Sequence, residues 1–150
     1  MDDPKYDALK LANQLCFPLY AAAKETIKLY RPLLDELNLT YTQFIVLMVL
    51  WEHRKMNVKE LGRKLYLDSG TLTPVLKSLE AKGYVRRTRS SEDERVLFIE
   101  ATEAGEALRD RALQIPGEMA RHVVLDREEA ETLYHLLYKL LTDIDNRRKA

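Results

Sequence analysis

The one cysteine in this 150-residue chain, Cys16, lies in the stretch NQLCFPLYAAAK, with Tyr20 four residues further on. The thiolate is the useful form of the side chain, so a reactive Cys16 needs its negative charge stabilised. On one helix Tyr20 at i+4 shares its face, and a phenol donating a hydrogen bond to sulfur favours the charged form. Help from a helix N-terminus is not expected. The apolar spacing puts Cys16 about ten residues into a helix that starts near Tyr6, and the end effect fades within the first turn. The plainer reading of a lone cysteine in an apolar helix is a small core hydrophobe. A single cysteine excludes an intrachain disulfide, so any redox role needs an outside thiol or a second subunit.

A second group of residues is basic. Between His53 and Arg95 stand eleven Lys and Arg against six Asp and Glu, a net of +5, although the 24 basic and 24 acidic residues of the whole chain cancel. Lys77, Arg86, Arg89 and Arg95 belong to this stretch, and each such side chain can displace a condensed counterion from a phosphate backbone. Ser69, Thr71 and Thr73 open a helix, where hydroxyls and backbone N–H groups can reach bases and phosphates. Arg95 beside Asp93 stands at a hairpin tip, suited to a narrow minor groove, or else it forms a surface ion pair worth little. A solvated charged face is the competing reading for any one charge run.

The elements that must position these groups follow from periodicity. Leu9, Ala12, Cys16, Leu19, Ala23 and Ile27 recur at three and four, predicting a helix from Tyr6 to about Tyr30 with a kink at Pro18. Arg31-Pro32 interrupts it, and LLDELN forms a short second piece. Thr40 with Gln43 predicts a capping box for a helix to about His53, Asn57 with Glu60 starts VKELGRKLY, and SGTLTPVLKSLEAK ends at Gly83. The period then falls to two in YVRRTRS and VLFIEAT, a hairpin around SEDER. Thr102 caps a further helix, Pro116-Gly117 bends it, and Asp126 with Glu129 opens the last one. The order from 42 to 101, three helices and a hairpin, is that of a winged helix-turn-helix. The expected fold is mainly α with a small β-hairpin: one domain over 1–150, DNA-binding over 40–101, with long N- and C-terminal helices at 6–37 and 103–147. The apolar stripes of these end helices exceed what a small core needs and imply a twofold homodimer. Two recognition helices then stand about 34 to 36 Å apart, and the operator is an inverted repeat.

An acidic start without an export signal, and a longest apolar run of only FIVLMVLW, point to a cytoplasmic chain that enters no membrane. No nucleotide loop, catalytic triad or CxxC is present, and no cofactor is called for; His53, His122 and His135 are scattered and form no metal set.

On LCFPLY around Cys16, DSGTLTPVLK followed by the DER hairpin, LTYTQFIVLMVLWE and ATEAG, the chain resembles the MarR family of winged-helix repressors over its whole length. Within that family it is similar to the organic-hydroperoxide sensors. The resemblance implies a reactive Cys16 held by Tyr20, Tyr30 and Tyr41. Tyr30 stands about 21 Å from Cys16 along one helix, so it can reach the sulfur only from a partner subunit whose first helix runs antiparallel. The absence of a second cysteine implies the one-cysteine subtype. There an organic hydroperoxide oxidises Cys16, a low-molecular-weight thiol captures the sulfenate, and the dimer leaves double-stranded DNA. A repressor of the same fold released by a small phenolic or aromatic acid is the alternative. A thiol peroxidase would need a thiol-reductase pattern that is not there.

Overall fold

The computed structural model describes residues 3–150, which pack as two units, one ending at Ile115 and the other formed by Pro116–Ala150. Two short 3-10 helices, Pro4–Leu9 and Leu11–Asn13, lead into α1 (Cys16–Asp35). There follow α2 (Tyr41–His53), β1 (Lys55–Asn57), α3 (Val58–Leu65), α4 (Ser69–Ala81), β2 (Val85–Arg89), β3 (Leu97–Ala101), α5 (Glu103–Ala112), α6 (Ile115–Ala120) and α7 (Arg127–Lys149).

The core of the first unit is built on α2, in which Phe44, Val46, Leu47, Leu50 and Trp51 are buried on several sides at once. Leu34 of α1, Leu61 of α3, Leu72, Leu76 and Leu79 of α4, Ile99 of β3 and Leu108 of α5 complete it. Thr40 and Gln43 form the expected capping box at the start of α2. Trp51 Nε1 donates to the Gly105 carbonyl at 3.0 Å inside this core. Gly105 has to be glycine, because a Cβ there would run into the Tyr84 carbonyl oxygen. Gly83, with φ +79°, takes the left-handed position just past α4, where side chains are disfavoured.

Five expectations need correction. The first helix does not begin near Tyr6. The side-chain amides of Asn13 and Gln14 turn back onto the carbonyls of Asp7, Ala8 and Lys10, at 2.6 to 3.1 Å, and hold a 3-10 lead instead. Pro18 is then the third residue of α1, where its missing N–H would have had no helical partner, so it makes no kink. Pro32 does not interrupt the helix either: α1 runs through it to Asp35, and with Pro32 and Lys28 both exposed, water can serve the carbonyl it forfeits. The hairpin has a third strand, β1, giving an antiparallel sheet in the order β1-β3-β2, with Met56 and Arg87 both opposite Ile99. The break expected at Pro116-Gly117 falls earlier, between Ala112 and Ile115, and Pro116 sits in the first turn of α6, a place that suits it.

In the second unit Asp126 and Glu129 form a capping box for the 23-residue α7, none of whose residues is buried. Leu133, Leu136, Leu140 and Ile144 lie exposed along it. No helix of the described residues is long and apolar enough to cross a membrane.

Candidate redox site and nucleic-acid interface

Cys16 is the first residue of α1 and is exposed. It is not a core hydrophobe, and it lies at a helix N-terminus, which the apolar spacing did not foretell. Leu15, the residue before the helix, makes no side-chain cap, so the first-turn amides are left for solvent or for a negative charge beside them. The signal that could have found this is Pro18, since proline is favoured in a first turn and costly in a helix interior. The apolar surround expected for the sulfur is open in the single chain, with Leu15 84% exposed and Phe17 and Leu19 also at the surface.

The four residues of the expected sensing group divide into two places. Tyr20, one turn beyond Cys16, is 62% exposed, with Lys24 Nζ 5.8 Å above its ring. Tyr30 and Tyr41 are brought together, their ring centroids 4.9 Å apart, and Phe44 lies 6.2 Å from Tyr30. Burial of Tyr30 pushes its phenol above the ordinary value, which keeps the hydroxyl a proton donor throughout the neutral range. Fourteen residues of helix separate Tyr30 from Cys16, about 21 Å of axial rise.

The second candidate surface is organised by α4. Asp68 caps it, accepting from the Thr71 N–H at 2.8 Å. Because Leu72, Leu76 and Leu79 face the core, Ser69, Thr71, Thr73 and Lys77 are left exposed. Tyr66, left-handed at φ 55°, makes the tight turn from α3 that sets the two helices against each other.

At the wing tip, Ser90 Oγ accepts from the N–H groups of Glu92 and Asp93 at 3.2 and 3.3 Å. Arg89 Nη1 donates to the Glu94 carbonyl at 2.9 Å. Both carboxylate oxygens of Asp93 accept from Arg95, at 3.1 and 3.2 Å, and this holds the Asp93 carboxyl below its usual range. The Arg95 side chain is still 91% exposed, so the pair presents a guanidinium outward from a fixed root.

Two further arginines are tied down. Arg86 donates to Glu100 across the β2–β3 pair at 2.9 Å, so part of its charge is already answered. Arg87, absent from the sequence-derived candidates, donates to Glu80 at 2.9 Å and joins the wing to the end of α4. That contact depends on the third dimension; the sequence holds it only as two opposite charges seven residues apart.

Residues 28–111 match the family described as transcriptional regulator SarA/Rot. The organic hydroperoxide resistance transcriptional regulator of Bacillus subtilis (strain 168) is 50% identical over 137 residues, 91% of this chain and 93% of that one. Among solved structures, reduced AbfR bound to DNA, a protein of Staphylococcus epidermidis, superposes with a TM-score of 0.76 at 33% identity over 93% of this chain and 98% of that one. Wild-type MarR from E. coli superposes with a TM-score of 0.66 at 27% identity over 85% and 96%. On these likenesses and on its fold, the chain belongs to the MarR-type winged helix-turn-helix transcriptional regulators, in the branch of the organic hydroperoxide resistance regulators, and is a DNA-binding regulator rather than an enzyme.

Proposed function

We propose that this protein is a homodimeric repressor that holds an inverted-repeat operator while Cys16 is reduced and leaves it when an organic hydroperoxide oxidises Cys16. The observation that carries the reading is the position of Cys16, the only cysteine, exposed on the first turn of α1 in a chain half identical to an organic hydroperoxide resistance regulator. AbfR has been solved on DNA in the reduced form and also in an overoxidized form, which supports DNA binding by the reduced state here and leaves release to the mixed disulfide at Cys16.

The exposed apolar residues of α1 and α7 are the surfaces for a second copy. With the two α1 helices antiparallel, the protonated phenol of Tyr30 of the partner subunit comes beside Cys16, together with Tyr20 of its own chain. Tyr41 backs Tyr30 and fixes its ring. The alkyl or acyl tail of the oxidant is accommodated by Leu15, Phe17 and Leu19, which the dimer covers. Ser69, Thr71, Thr73 and Lys77 enter the major groove, while Arg86, Arg89 and the Asp93–Arg95 pair contact the backbone and the minor groove.

The chemistry has two balanced steps. The Cys16 thiolate attacks the distal peroxide oxygen, the O–O bond breaks, and the alkoxide leaves as an alcohol after taking a proton. A low-molecular-weight thiol then attacks the sulfenic sulfur, forming a mixed disulfide and releasing water. Mass spectrometry of the full chain, after one equivalent of organic hydroperoxide in the presence of a small thiol, is expected to find the mixed disulfide at Cys16 in proportion to operator lost. Operator release with Cys16 unmodified contradicts the reading and favours a repressor released by a bound aromatic acid.

A further inference from the structure

Gln43 is the one polar side chain buried in the core among the described residues, only 4% exposed. Both ends of its amide are engaged. Oε1 accepts from the Thr40 N–H at 3.1 Å and from Lys82 Nζ at 2.9 Å, and Nε2 donates to Ser78 Oγ at 2.9 Å. Lys82 Nζ also donates to the carbonyl of Asn38 at 2.7 Å, and Asn38, at φ 56°, lies in the turn between α1 and α2. The joint therefore ties three places together: the α1–α2 turn, the first turn of α2, and the last turn of α4 with its C-cap, Lys82. Tyr41, two residues before Gln43, packs on Tyr30 of α1.

We propose that Gln43, Ser78 and Lys82 are positioning residues that make the recognition helix follow the aromatic end of the sensing helix. The inference rests on the redox reading of Cys16 and adds to it the route by which α4 responds. A change at Tyr30 reaches the first turn of α2 through the ring of Tyr41. The rest of α2 is embedded in a close-packed core, which yields by discrete rearrangement and not by gradual strain. A buried amide cannot leave its partners without stranding polar groups away from water, so Ser78 and Lys82 move with it. Helix propensity does not explain these contacts, because the partners are 35 to 44 residues apart in the chain.

The test compares operator affinity of the reduced full-length protein with that of its Cys16 mixed disulfide, in wild type, Lys82→Met, Lys82→Arg and Ser78→Ala. Wild type is expected to lose affinity on modification by a factor within about 5 to 150, the usual size of coupling between sites. Lys82→Met is expected to cut that factor to about a third or less, with reduced-state affinity within about threefold of wild type. Ser78→Ala, which removes one hydrogen bond with little loss of volume, moves the factor in the same direction, while Lys82→Arg, which keeps the donors, restores it. A full factor in both Lys82→Met and Ser78→Ala overturns the inference, even if their melting temperatures fall, since the joint is then only structural. No loss of affinity in modified wild type overturns the redox reading itself and the coupling with it. The two failures are distinguishable because only the second is visible without a variant.

Discussion

At the scale of single residues, the proposed chemistry rests on the location of Cys16 on the first turn of α1 and on the protonated phenol of Tyr30. A hydrogen bond from a phenol to a charged acceptor contributes about 1.5 to 3 kcal/mol, a factor of about ten or more. Tyr30→Phe is therefore expected to slow Cys16 oxidation by about tenfold or more, measured as sulfenate formation by stopped flow. Because burial raises the Tyr30 phenol, the wild-type rate should show no break from Tyr30 ionisation anywhere between pH 6 and 9, to be checked by the same measurement. A rate in Tyr30→Phe equal to wild type removes Tyr30 from the site. Cys16 was legible as a candidate through its tyrosine partners and the family resemblance, since a lone cysteine by itself reads as a core hydrophobe. Its place at a helix start was not, since apolar spacing continued unbroken through Leu9 and Ala12 while the Asn13 and Gln14 amides decided the local backbone.

At the scale of elements, the relation of α4 to the wing depends on Glu80 and Arg87. The Arg87 guanidinium lowers the Glu80 carboxyl from its ordinary value of 4.5. A carboxyl depressed in the folded state stabilises above its unfolded value and loses that contribution as pH falls through the folded one. The tether should hold at neutral pH and loosen only in acid below the ordinary value, seen as a broadening of wing amide signals by NMR. Glu80→Gln should reproduce the loosening at neutral pH. A second element-level test concerns Gly105, whose missing Cβ lets α5 approach Tyr84. Gly105→Ala is expected to cost about 1 to 3 kcal/mol and to lower the melting temperature by several degrees, read by calorimetry.

Helices α2, α3 and α4, their caps at Thr40, Asn57 and Gly83, and the β2–β3 hairpin were all legible, because capping side chains and period changes are local signals. Strand β1 was not: three residues between two helices carry no period, and Lys55–Asn57 becomes a strand only because β3 offers it an edge. The Glu80–Arg87 tether and the Gln43 joint were equally hidden, being made by tertiary approach.

At the scale of the whole molecule, the apolar stripe of α7 is left exposed in the single chain, and of the twenty residues of α1 only Leu34 is buried. Covering such surfaces by a second copy, as proposed, would place two reading units on one operator, and linked binding of this kind raises affinity by about 10²- to 10⁴-fold over one unit alone. Leu133→Asp combined with Leu140→Asp, one face of α7, is expected to give a folded monomer by ultracentrifugation, with operator affinity lower by about 10²-fold or more. A variant that stays dimeric would assign the interface to other surfaces. The measurement that bears most directly on the central claim is an operator-binding titration of the reduced protein against cumene hydroperoxide with a small thiol present, run on wild type and on Cys16→Ser. Equal operator affinity of the two reduced proteins is expected, with release of wild type at about one equivalent of oxidant per subunit and no release of Cys16→Ser. Release of Cys16→Ser by the peroxide, or continued binding by wild type after full modification of Cys16, would contradict it.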